Sequence, residues 1–186
     1  VLGATGAISK QGAGALALGG RQVNVSAVTT GRTGDSLSIT ASEGVTTGAL
    51  NASGALGMDG GDVSIDGGTG SVVVASITTR GASGPVSTTA PTDGHDGGNV
   101  AVSGATIAIG SVDSRGGDAS AIATGTTEIT REGGDAGAIA LAAGQITLTS
   151  GLDASGGAGA ANSPSLVSGL AGDSADVLVD GALLLA

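Results

Sequence analysis

The sequence predicts an all-β chain that winds into a right-handed parallel β-helix, or β-solenoid, with about six coils of three short strands each. Short aliphatic segments recur in a fixed order, glycine and small polar residues separate them, and Phe, Tyr, Trp and Cys are absent from all 186 residues. Small aliphatic side chains suit a narrow interior that has no room for aromatic rings. These observations together favour a solenoid.

Three kinds of aliphatic segment repeat along the chain. Strand one holds the pairs Leu16/Leu18, Leu37/Ile39, Val63/Ile65, Val100/Val102, Ile139/Leu141 and Val177/Val179. Strand two holds Val23/Val25, Val45/Thr47, Val72/Val74, Ile107/Ile109, Ile146/Leu148 and, as its last copy, Leu184/Ala186. Strand three begins at Ile8, Val28, Leu50, Ile77, Val112 and Leu152. One residue separates the members of each pair, so both side chains lie on the same face of a strand.

The coil length and the position of the extra residues indicate a stacked array. Leu16 to Leu37 gives a coil of about 21 residues, which is in the range of solenoid repeats. Later coils are longer, and the extra residues follow strand three at 82–96, 118–132 and 158–172. A stacked array tolerates insertions on one face. We therefore predict one β-solenoid segment over residues 1–186, with loops inserted at one corner.

The inward side chains of this solenoid form a predicted core stack. Parallel rungs stack at about 4.8 Å, and β-branched side chains pack well in such columns. Burying one aliphatic side chain is worth about 1.5–3 kcal/mol, so a stack of them can offset the entropy of ordering. The core stack comprises Val63, Ile65, Val72, Val74, Ile77, Val100, Val102, Ile107, Ile109, Val112, Ile139, Leu141, Ile146, Leu148 and Leu152.

The composition argues against several other classes of protein. The formal charge of −10 repels phosphate backbones, and no aromatic side chain is available for base stacking, so nucleic-acid binding is not expected. No apolar run approaches the ~20 residues that cross a bilayer, so membrane insertion is not expected either. Disordered chains are poorer in apolar residues than this one, so disorder is not expected. A collagen triple helix needs glycine at every third position, and this sequence lacks that period.

An antiparallel β-sandwich is the main structural rival, because it also contains short strands and turns. A sandwich does not predict that Ile77-Thr-Thr-Arg-Gly81 and Val112-Asp-Ser-Arg-Gly116 recur in register. A helical fold fails because apolar residues do not recur at spacings of three and four. The repeat therefore favours the solenoid.

One repeat resembles those of a known family. Gly97-Gly-Asn-Val-Ala-Val, then Ile107-Ala-Ile, then Val112-Asp-Ser-Arg-Gly-Gly117 is similar to repeats of filamentous-haemagglutinin-like large exoproteins, which often read Gly-Gly-Asn-Ile-x-Ile, a second strand, then Ile-x-Ala/Thr-x-Gly. The resemblance extends over nearly the whole chain from about Leu16. It implies a right-handed parallel β-helix, export across the outer membrane, and a role in adhesion or biofilm scaffolding. The family's amino-terminal secretion domain is not visible in this sequence.

Candidate metal ligands are sparse. The only histidine, His95, lies between Asp93 and Asp96, and these three side chains could hold a metal ion as a local cluster. A solvated polar turn is the favoured interpretation. Other aspartates flank Gly-Gly pairs, but the calcium nonapeptide pattern is absent. We therefore expect no cofactor, and adventitious Ca²⁺ in an acidic loop stays an alternative.

Two arginines and several threonines occupy predicted outward positions. Arg80 and Arg115 are equivalent residues on successive coils, where they form a ladder that can pair with carboxylates across rungs. Exposed pairs of this kind contribute only about 0–1 kcal/mol. Thr29, Thr30, Thr78 and Thr79 could suggest an ice-binding plane, but a regular threonine array is missing.

The functional prediction is a non-catalytic structural or adhesive segment of a large secreted or cell-surface bacterial protein, associated with the outer membrane. A subunit of a self-assembling filament is one alternative, and a β-helical polysaccharide-active enzyme is another. The enzyme is disfavoured because no nucleophile–base set, phosphate loop or aromatic sugar platform is present. The expected partners are neighbouring coils, end-to-end copies of the chain, and host or cell-surface glycans or proteins that meet the corner loops. Apolar segments near both ends of the sequence predict a fragment of a longer repetitive chain.

Overall fold

A computed structural model describes residues 2–10, 12–30, 34–84, 92–120, 130–161 and 169–186. Within these ranges all regular secondary structure is β-strand. None of the described residues belongs to a helix of the length and hydrophobicity that a membrane crossing requires. The strands are β1 (Leu2–Ser9), β2 (Leu16–Gly20), β3 (Val23–Thr29), β4 (Leu37–Ala41), β5 (Gly44–Asn51), β6 (Val63–Asp66), β7 (Ser71–Thr78), β8 (Val100–Ser103), β9 (Thr106–Asp113), β10 (Thr130–Arg131), β11 (Ile139–Leu148), β12 (Leu152–Asp153), β13 (Ala160–Ala161) and β14 (Val177–Leu185).

Twelve of these strands form one curled sheet in the order β1-β3-β5-β7-β9-β11-β8-β6-β4-β2, with β12 beside β9 and β14 beside β11. All pairs in this sheet are parallel. A separate antiparallel pair joins β10 to β13. The chain is therefore all-β and is dominated by parallel strands that are not neighbours in sequence.

The first ladder of the sheet contains β2, β4, β6, β8 and the amino-terminal halves of β11 and β14. Its Cα partners run without a shift along the predicted strand-one positions, from Leu16 through Leu37, Val63, Val100 and Ile139 to Val177. The predicted stacking of these residues in parallel register is confirmed.

The second ladder contains β1, β3, β5, β7, β9 and the carboxyl-terminal halves of β11 and β14. Strands two and three of the sequence prediction are halves of single strands here, so the prediction of two separate strands is wrong for most repeats. In β5 and β7 one residue at mid-strand, Gly48 or Ala75, stays outside the ladder register. The repeat that begins at Ile139 is the exception, because residues 149–151 separate β11 from β12.

The predicted last strand-two pair, Leu184/Ala186, is also wrong. Ile146 pairs with Leu183, and Leu148 pairs with Leu185, so the true pair lies one residue earlier. The corner that precedes this pair is one residue shorter than in the repeat before it, because Gly181 alone occupies it. Gly181 has a φ of +150°, a conformation that favours glycine.

The interior between the two ladders is filled by aliphatic side chains. Every member of the predicted core stack except Leu152 is buried, and Leu152 packs against the core while partly exposed. Alternate residues point outward, as in β7, where Val72 and Val74 are buried and Val73 is 43% exposed. The core is thus a column of Val, Ile and Leu that runs from repeat to repeat.

Buried hydroxyl groups lie at the end of the second ladder, where the chain leaves the strands. Thr79 donates a hydrogen bond from Oγ1 to the carbonyl of Gly98 at 2.7 Å, and Ser114 donates from Oγ to Gly137 at the same distance. Thr30 makes a similar bond to the carbonyl of Asp35 at 2.9 Å. Since Thr30 and Thr79 are fully buried, they are not part of an exposed threonine plane.

Candidate functional site

The segments between the strands bond to one another through their backbones, and they carry ten of the 22 charged side chains of the sequence. We call 79–84, 114–120 and 154–161 the departing segments, because they lead away from the sheet. The returning segments, 92–99, 130–138 and 169–176, lead back to it. The sequence predicted loops at 82–96, 118–132 and 158–172. The described parts of those ranges hold only the short pair β10/β13 and one bridge between Thr92 and Ser120, and they continue these segments. Residues 85–91, 121–129 and 162–168 lie outside the described residues.

Departing segments are hydrogen-bonded side by side with a period of three residues. Gly81 donates its N–H to the carbonyl of Arg115 at 3.0 Å, and Gly84 donates to Asp118 at 2.8 Å. Returning segments follow the same rule, since Gly94 donates to Glu132 and Gly97 to Asp135, both at 2.8 Å. This period is that of polyproline-II-type chains, which have no internal hydrogen bonds and can bond only to neighbours.

Departing and returning segments also bond to each other, in opposite directions. Gly117 donates to the carbonyl of His95 at 2.8 Å, and Ser120 donates to Thr92 at 2.9 Å. Gly134 then donates to Gly117 at 2.9 Å, and Gly157 donates to Gly134 at 2.8 Å. The result is a two-layer backbone network, which we call the glycine layers.

The glycines are required here because the backbones approach closely. A Cβ atom at Gly134 would collide with the carbonyl oxygen of His95, and one at Gly157 would collide with that of Gly117. Neither glycine has a positive φ, so an unusual backbone conformation is not the reason. The sequence contained a signal for this arrangement in Gly-Gly pairs that recur at 60–61, 97–98, 116–117, 133–134 and 156–157.

Asp59 and equivalent aspartates on the returning segments bridge successive repeats. Asp59 accepts a hydrogen bond at Oδ1 from the backbone N–H of Asp96 at 3.1 Å. Asp96 accepts from the N–H of Asp135 at 2.8 Å, and Asp135 accepts from that of Asp173 at 2.7 Å. We call these four residues the aspartate ladder. The carboxylates of Asp59, Asp96 and Asp135 each hold the backbone of the next segment in place.

The predicted metal candidates have three different partners. Asp93 accepts at Oδ1 from the N–H of Glu132 at 3.0 Å, and Asp96 belongs to the aspartate ladder. His95 points Nδ1 at Oδ1 of Asp59, 3.3 Å away. Across the described ranges, no three His, Asp or Glu side chains converge as metal ligands.

Arg80 and Arg115 alternate with carboxylates from neighbouring repeats. Arg80 Nε lies 2.6 Å from Oδ2 of Asp113, and Arg115 Nε lies 3.0 Å from Oδ1 of the same residue. Arg115 Nε also approaches Oδ2 of Asp153 at 3.3 Å. The two side chains keep 45% and 37% of their surface exposed, so they form an outward ladder that is held in place on one side.

Asp113 has a perturbed pKa. Burial raises the pKa of this carboxyl above the usual 3.8, the attraction of Arg80 offsets the rise in part, and the charge of Asp153 adds to it. Removing a carboxylate from water disfavours its charged form, and here this outweighs the neighbouring arginine.

Together, these contacts link successive repeats and leave polar and charged side chains exposed on the surface.

Comparison with known proteins yields no match, whether with protein-family models, with curated proteins or with solved structures. The resemblance to filamentous-haemagglutinin-like exoproteins therefore stays a prediction from the sequence.

Proposed function

We propose that the chain is a segment of a right-handed parallel β-helix in which each repeat is one coil, about six coils in all. We propose further that it is a non-catalytic structural or adhesive segment of a large secreted or cell-surface bacterial protein. The observation that carries both proposals is the unbroken parallel register from Leu16 to Val177, combined with insertions that all leave from one corner.

Several features support an extracellular scaffold. Backbone hydrogen bonds between repeats, an aliphatic interior and the glycine layers hold the chain together without cysteine. These contacts do not depend on disulfides, so they are compatible with a location outside the cell. Its outward side chains are small and polar over most of the sheet, as in Ser64 and Ser103.

Engineered disulfides test the coil stacking. Ser64 and Ala101 are exposed and are Cα partners on adjacent repeats. Stacked parallel partners lie about 4.8 Å apart, a separation that a disulfide spans. We expect the double variant Ser64→Cys/Ala101→Cys to oxidise readily, with no native cysteine to interfere. The control Ser64→Cys/Ala140→Cys spans two repeats and should stay reduced; equal oxidation of both pairs would contradict the stacking. A crystal structure decides the handedness.

Antibody labelling of the producing bacterium tests the functional proposal. An antibody raised against residues 1–186 should label intact cells or their culture medium. Labelling only after permeabilisation would overturn the proposal of a surface or secreted protein.

A self-assembling filament is a second candidate, supported by β14. The side chains of Leu183 and Leu185 continue the interior column, yet they are 48% and 70% exposed. Leu178 and Leu184 add to this apolar surface. Exposed strand edges of this kind template pairing with another chain. Electron microscopy of the purified chain should show indefinite fibres if copies stack end to end, and discrete particles if they do not.

The non-catalytic assignment is also a proposal, and it rests on how the acidic side chains are used. Asp96, Asp113 and Asp135 bond to backbone N–H groups or to arginines of the same chain. A polysaccharide turnover assay tests it, because activity lost on an Asp→Asn substitution would favour the enzyme alternative.

A further inference from the structure

A polar groove of about 190 Å³ crosses three successive departing segments. Its lining includes Arg80, Arg115 and Ser155, which occupy equivalent positions on three repeats, together with Ser83 and Asp118. Glycines such as Gly116 also line it. Because equivalent residues repeat on each segment, the groove runs along the stacking direction.

The walls offer hydrogen-bond donors and acceptors in fixed positions. Arg80 meets Asp113 through Nε, which leaves the outer edge of its guanidinium directed away from that contact. Arg115 is held by Asp113 and Asp153 together, so little rotamer freedom is left for a ligand to remove. Asp118 supplies a carboxylate whose Oδ1 accepts the N–H of Ala158 at 2.8 Å, and Ser83 supplies a hydroxyl whose oxygen accepts the N–H of Asp118 at 3.2 Å.

The size and charge of the groove restrict its ligand. Its volume is below the ~300–1,000 Å³ of pockets that enclose small molecules. A linear polymer that lies across several repeats would make contacts that a single small molecule cannot make. The formal charge of −10 and the carboxylate of Asp118 oppose a polyanion, while the two guanidinium groups oppose a polycation.

We propose that this groove binds an uncharged, linear polysaccharide that lies along the stacking axis. The proposal rests on the proposed adhesive function and assigns it a binding surface. Arginine and carboxylate side chains supply the donors and acceptors that sugar hydroxyl groups need. Without an aromatic platform each site binds weakly, and useful adhesion comes from many copies that act together.

NMR titration of the ¹⁵N-labelled chain with cellohexaose tests the proposal. Hexagalacturonate, a charged hexasaccharide, serves as the comparison ligand. We expect amide shift changes at residues 80–84, 115–118 and 155–158 with cellohexaose, and weaker changes with hexagalacturonate. The variants Arg115→Gln and Arg80→Gln should each weaken cellohexaose binding about tenfold or more. The control Arg21→Gln removes an exposed arginine paired with Glu43 elsewhere and should bind as the parent chain does.

Three outcomes would overturn the groove. The first is no amide shift change up to about 10 mM cellohexaose, which would mean a dissociation constant well above that concentration. The second is unchanged binding by both arginine variants, and the third is tighter binding of hexagalacturonate. A variant is folded if its amide chemical-shift dispersion equals that of the parent. If one arginine variant does not fold, the binding measured with the other one tests the groove. Labelling of intact cells without cellohexaose binding would reject the groove alone, whereas absence of surface labelling would reject the proposed function.

Discussion

The N–H of Gly134 donates to the carbonyl of Gly117 at 2.9 Å, which joins a returning segment to the departing segment of the same repeat. Gly117 in turn donates to His95 of the preceding repeat at 2.8 Å. Successive repeats are thus linked through backbone contacts that leave no space for a side chain. Backbone hydrogen bonds therefore hold these segments of successive repeats together.

The variant Gly134→Ala should therefore destabilise the chain. The added Cβ would collide with the carbonyl oxygen of His95, and the collision is removed only if the segments that hold residues 95 and 134 move apart. Overpacking of this kind costs about 1–3 kcal/mol, which urea denaturation followed by circular dichroism measures. Gly151→Ala is the matched control, because its Cβ would meet no atom within 4 Å and its φ is not positive. Equal loss of stability in both variants would contradict the close approach.

Placing a charge in the aliphatic column should unfold several repeats. Ile109 is 1% exposed and lies between the aligned residues Val74 and Leu148. In Ile109→Asp the carboxylate would be buried without a partner, a change among the most destabilising known. Val73→Asp is the control, because Val73 lies on the outward face of the neighbouring strand and is 43% exposed. We expect thermal melting to show an intact control and an unfolded or strongly destabilised Ile109→Asp.

The strands and their register could be predicted because the aliphatic pairs record them directly. A shift of one residue would move Val63 and Ile65 from the interior to solvent, so the alternation permits only one register. The last repeat escaped prediction because Gly181 shortens a corner inside β14 by one residue, and the alternation of residues after that corner does not reveal that one residue is missing from it. The continuity of strands two and three was missed because small residues such as Gly48 resemble turn residues.

The glycine layers could not be predicted from apolar patterning, because Leu170 is the only Val, Ile or Leu in their six segments. Segments rich in Gly, Ser and Asp are typical of loops. The informative signals were the recurrent Gly-Gly pairs and the hydroxyl residues Thr79 and Ser114, which directly precede Arg80 and Arg115. Similarly, Asp96 followed by glycine indicates a turn, and only the structure reveals that its carboxylate receives the N–H of Asp135.

Substitution in the aspartate ladder should separate hydrogen bonding from charge. Asp96→Ala removes the acceptor for the N–H of Asp135 and should cost about 1 kcal/mol. Asp96→Asn keeps an oxygen acceptor, as Asn99 does when it accepts the N–H of Ala138 at 2.9 Å. It also relieves repulsion between stacked carboxylates, so we expect a stability equal to or above that of the parent at low ionic strength. If Asp96→Asn loses as much stability as Asp96→Ala in urea titrations, the ladder does not work through its acceptor oxygens.

Asp113 should make the stability of the chain depend on pH in a direction unusual for a carboxylate beside arginines. Its pKa lies above the usual 3.8 because burial outweighs the attraction of Arg80, so the folded chain holds this proton more tightly than the unfolded chain does. Its stabilising contribution is therefore full below 3.8 and is lost as the pH rises through the raised pKa. The free energy of unfolding of the parent, measured relative to that of Asp113→Asn, should increase when the pH falls from about 7 to about 3.5. Because the other carboxylates are common to both proteins, their titration cancels in this difference. A decrease over the same interval would mean that the two arginines, and not burial, govern the charge of Asp113.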